Sequence, residues 1–65
     1  MKQFTLVIQN DKMTYTRKVT AADYFEAATQ LWRGLLPDAE PGKVIMVIDD
    51  EAKTVVWSQR VAEML

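Results

Sequence analysis

Neither cysteine nor histidine occurs among the 65 residues. Without cysteine no disulfide staples the fold. Without histidine the commonest general base and the commonest zinc ligand are both missing. Glycine and proline occur only twice each, so turn signals are few and each one is informative. No excess of positive charge is present: the formal net charge is −1, which argues against a general polyanion binder. Long apolar runs are absent as well. The start, MKQFTLVIQN, has too short an apolar run for a signal peptide, and no stretch approaches transmembrane length. The expected location is the cytoplasm of a bacterial-type cell. No catalytic, metal or nucleotide-loop motif is found, so no catalytic residue, metal ligand or cofactor is assigned.

What is present is one helical stretch with alternating stretches on either side. Residues 20–36 read TAADYFEAATQLWRGLL. At 100° per residue Tyr24, Phe25, Ala28, Leu31, Trp32, Leu35 and Leu36 gather on one arc. Asp23, Glu26, Thr29, Gln30 and Arg33 occupy the other. Thr20 is the expected N-cap, with Asp23 in the position of a shortened capping box. Gly34 is the expected stop, reinforced by Pro37. Tyr24, Phe25 and Trp32 are read as core residues of this helix.

Residues 2–9 alternate, with Phe4, Leu6 and Ile8 on one side and Gln3, Thr5, Val7 and Gln9 on the other. Asn10-Asp11-Lys12 marks a turn, and residues 13–19 alternate again. The pair is an antiparallel hairpin in which Ile8 faces Tyr15, Phe4 faces Val19 and Arg17 lies opposite Leu6. Residues 37–42 (PDAEPG) form a loop. Residues 43–48 (KVIMVI) read as a central strand, and residues 54–58 (TVVWS) return as a second hairpin. A four-residue loop there sets Ile48 opposite Val55 and Met46 opposite Trp57. Ser58 is the expected cap of a short C-terminal helix.

The predicted fold is α+β: one ββαββ domain over residues 1–65. Its four-stranded antiparallel sheet has order 2-1-3-4, with the long helix across one face and the short helix at the end. The two most apolar strands, one and three, take the centre. Order 1-2-3-4 is the alternative. Sixty-five residues bury only roughly 60% of the unfolded surface, so stability should be modest.

Two candidate sites follow. One is the sheet face away from the helix, where Val7, Ile45, Val47 and Val56 are expected to form an apolar patch rimmed by hydroxyls such as Thr5 and Thr16. Such a patch marks an interaction surface. Alternatively the C-terminal helix covers part of it, or the branched residues serve strand propensity alone. The other candidate is the acidic run Asp49, Asp50 and Glu51, read as a solvated turn. Its alternatives are a Mg²⁺ or Ca²⁺ site and a phosphate-imitating tip. The basic residues are dispersed, and no aromatic residues alternate with them on an outward strand face, as an RNA-binding sheet would want. No enzymatic activity is expected. The chain, which reads as complete, is expected to be a small protein-interaction module of the kind phages or mobile elements encode, inhibiting a larger host protein or nucleoprotein stoichiometrically. The expected partner is another protein or a second copy in a homodimer. A nucleic-acid-binding module using the open sheet face is the alternative.

Overall fold

A computed structural model describes residues 1–36 and 39–59. The elements are β1 (Lys2–Gln9), β2 (Thr14–Ala21), α1 (Tyr24–Trp32), β3 (Lys43–Asp49) and β4 (Thr54–Ser58). The strands form one antiparallel sheet in the order β2-β1-β3-β4. Helix α1 lies across one face of it, on β3, β2 and β1. The apolar strands β1 and β3 are therefore central, as their composition requires. Ser58, the expected cap of a C-terminal helix, is the last residue of β4. The remainder of that expected helix lies beyond Gln59, outside the described residues. Among the described residues no helix is long and apolar enough to cross a membrane.

The first hairpin has the expected register. Ile8 pairs with Tyr15, Leu6 with Arg17 and Phe4 with Val19. The Asn10 side chain sets the turn by accepting from the backbone N–H groups of Lys12 and Met13 at 2.8 and 2.9 Å. This is an Asx-type turn, in which a short polar side chain substitutes for a backbone acceptor.

Strands β3 and β4 depart from strict alternation. Ile8 faces Val44 but Val7 faces Met46, so Ile45 is an extra residue. Ile48 faces Val55 as expected, but Val47 rather than Met46 faces Trp57, which makes Val56 extra on β4. These are β-bulges, and each one reverses the parity of the residues beyond it. Val44 and Val47, an odd number of residues apart, consequently share the helix-covered face. Val47 is fully buried and packs in the core with Phe4, Leu6, Ile8, Val19 and Val44.

The helix begins later than its apolar pattern suggested. Thr20 is not the cap; it is still in β2, paired with Gln3. Asp23 is the N-cap, its carboxylate accepting from the Glu26 N–H at 2.8 Å. Glu26 reaches back past the cap to the Ala22 N–H at 3.4 Å, one residue short of the reciprocal bond of a capping box, which would go to the Asp23 N–H. The end is as expected. Gly34 takes φ 69°, its N–H donates to Leu31, and the Leu35 N–H donates to Gln30. That pair of bonds is a Schellman motif, which needs a left-handed residue at the glycine position.

Candidate interaction surface

The side of the helix that faces the sheet is built from small residues. Ala27 and Ala28 are buried and Leu31 is half-buried against the core. Alanines let the helix axis come close to the β1–β3 surface, and the large residues then have no room beneath it. Phe25 and Trp32 point to the flank and are each 64% exposed; Tyr24 is 42% exposed. The expectation that these three rings form the core is thus overturned. The apolar stripe of α1 is too wide for one contact face, and the alanine and leucine part of it is the part that packs.

The displaced rings frame a groove between the helix and the β4 edge of the sheet. Tyr24, Phe25, Ala28, Trp32, Val44 and Trp57 line a depression of about 150 Å³. Trp57 reaches it because the bulge at Val56 turns its side chain to the helix-covered face. Val56 itself, expected on the open face, borders a neighbouring hollow with Phe4, Tyr24 and Asp49. The signal for this surface was present in the sequence as two aromatic residues seven apart, Phe25 and Trp32, flanking the small pair Ala28 and Thr29.

The open sheet face differs in membership from the expected one. Val47 is in the core rather than on it. Val7 does belong to it, between Thr16 on β2 and Met46 on β3. Thr5 belongs too, between Lys18 and Ile48, and Val55 continues that row. Ile45 is the half-buried extra residue of the β3 bulge. The apolar residues that alternate onto this face are therefore Val7, Met46, Ile48 and Val55.

The acidic run is a structural node and not a freely solvated turn. Asp49 is 5% exposed. Its Oδ1 accepts from the backbone N–H groups of Glu51 and Ala52 at 2.9 and 3.0 Å, and its Oδ2 pairs with Lys2 at 3.4 Å. Asp50 accepts from the Thr5 hydroxyl at 2.7 Å and pairs with Lys18 at 3.2 Å. The Asp50 N–H donates to the Gln3 carbonyl. One turn thereby ties β1, β2 and β3 together. The Ala52 N–H, the Lys2 ammonium and the Glu51 N–H hold the Asp49 carboxyl below its ordinary value, against the opposing effect of burial. The Thr5 hydroxyl, followed by Lys18, does the same for Asp50. Glu51 is exposed. A phosphate-imitating tip needs free carboxylates, and two of these three are engaged within the fold.

Compared with protein-family models, curated proteins and solved structures, the chain matches none.

Proposed function

We propose that this is a non-enzymatic protein-interaction module that works by docking an apolar surface of another polypeptide into the groove between α1 and β4. The observation that carries the reading is the 64% exposure of both Phe25 and Trp32 around an apolar depression. Large rings held in water on a folded domain mark binding surfaces, and Trp and Tyr are the side chains most enriched among binding hot spots. Within that class the role we favour is a stoichiometric inhibitor of a larger host protein or nucleoprotein, of the kind phages or mobile elements encode. Support for that finer role is the lack of histidine, cysteine or a catalytic motif in these residues. The nucleic-acid reading has weaker support. The open face offers aliphatic residues and no stacking ring, and Lys18 is engaged by Asp50.

The test is affinity capture from the cell that encodes the protein, with wild type, Phe25→Lys and Thr16→Lys as baits. A stoichiometric partner kept by wild type and Thr16→Lys but lost by Phe25→Lys is the expected result. A partner lost only with Thr16→Lys would move the interaction to the open sheet face.

A further inference from the structure

The groove is self-complementary, and we infer that a second copy of this chain packs on it, helix against helix, about a twofold axis. This rests on the reading of the α1 flank as a binding surface and names one occupant. Along the flank the order is Phe25, then the small residue Thr29, then Trp32, with the buried Ala28 behind them against the sheet. The pattern large–small–large is the same read in either direction. Two antiparallel copies therefore place Phe25 of each beside Trp32 of the other, with the half-buried Thr29 at the crossing where the helices approach most closely. The depression in each copy, about 150 Å³, is roughly the volume that accepts a benzene-sized ring. Each copy thus supplies both a protruding ring and a hollow for one.

Charge and area agree with this pairing. Asp23 and Glu26 lie in the first half of the helix and Arg33 is its C-cap. Glu26 and Arg33 are seven residues apart on the same side of the ring seam. An antiparallel twofold brings Glu26 of one copy to Arg33 of the other, twice, whereas a parallel arrangement sets like charges together. The helix dipoles also oppose one another. A free aromatic side chain exposes roughly 150–250 Å², so the uncovered parts of Tyr24, Phe25 and Trp32 leave about 350 Å² on one copy. Two such patches in contact remove about 700 Å², and their rim carries the total towards the ~1,000 Å² at which specific interfaces begin. The dimer is accordingly weak and concentration-dependent.

Sedimentation equilibrium of the full chain from ~10 μM to ~1 mM tests it, a range chosen for an interface of this size. The mass should rise from the 7.5 kDa of one chain towards twice that, with a blue shift of tryptophan emission. Phe25→Lys should stay monomeric throughout, and Thr16→Lys on the open face should associate like wild type. Because the chain has no cysteine, Thr29→Cys gives an independent reading even if Phe25→Lys folds poorly. Near the axis it should oxidise to a linked dimer, whereas Lys12→Cys at the far hairpin turn should not. A wild type that remains at 7.5 kDa at ~1 mM overturns the inference and leaves capture of a foreign polypeptide standing. Association abolished by Thr16→Lys, or equal linking of both cysteine variants, overturns it as well.

Discussion

Leu6 and Trp32 show how far side-chain size misleads at the residue scale. Leu6 is completely enclosed and Trp32 is mostly in water. Leu6→Ala should therefore lower stability by about 2–5 kcal/mol, since it leaves a cavity between sheet and helix. Trp32→Ala should change it by less than about 1 kcal/mol when measured at a concentration that keeps the chain monomeric. Urea denaturation of both variants checks the pair, and equal losses would mean that the helix is rotated from the orientation described. Val47→Lys belongs with Leu6: at a fully enclosed position a new ammonium group has no partner and should unfold the domain. Asp49 and Asp50 make a prediction about pH. Both carboxyls titrate lower in the folded chain than their ordinary value of 3.8. The unfolded chain therefore binds these protons first, and the stabilisation is complete above about pH 5. It is lost as pH falls through about 4 and on to the folded-state values. Melting temperature should drop across that range, and Asp49→Asn with Asp50→Asn should flatten the drop while lowering the plateau at neutral pH.

At the scale of the element, the two left-handed residues are opposite cases. Gly34, at φ 69°, closes α1 with no side chain to clash, whereas Lys53 holds φ 54° at the foot of β4 despite its Cβ. A side chain in that region costs roughly 1–2 kcal/mol. Gly34→Ala should destabilise by about 1 kcal/mol, and Lys53→Gly should be neutral or stabilising by a similar amount, the gain being reduced by the greater freedom of glycine in the unfolded chain. Thermal melts of the two variants moving in the same direction would contradict the turn geometry. The start of α1 shows why boundaries are hard to read from apolar periodicity. Thr20 and Ala21 carry the period-3.6 pattern backwards, but Thr20 is paired with Gln3 and Ala21 with Lys2 on the neighbouring strand. The ladder to β1 takes those backbone groups, so the helix starts at the next residue able to cap it, Asp23.

For the whole molecule, balanced charge and an aliphatic open face lead to a negative expectation for nucleic acid. Gel shifts with short DNA or RNA should show no tight binding at low salt; binding that weakens steeply as salt rises would instead signal counterion release and favour the alternative function. Local pattern alone was enough for the four strands, the long helix and their order, the hairpin of β1 and β2 with its pairing, and the central place of β1 and β3. Those follow from local period, turn residues and composition, all of which are written within a few residues of one another. Which residues form the surface follows instead from long-range packing. The bulges at Ile45 and Val56 reverse the faces of the residues beyond them, Val47 and Val55 among them, and no local pattern announces them. Val47 consequently moved from an expected binding patch into the core. The rotation of α1 was likewise a contest between two apolar stripes on one helix. The alanine and leucine stripe won because small side chains permit close approach to the sheet, leaving Phe25 and Trp32 outside. The acidic run was legible as charge, but its partners Lys2, Thr5 and Lys18 lie more than thirty residues away in sequence on strands that only the folded sheet brings to Asp49 and Asp50.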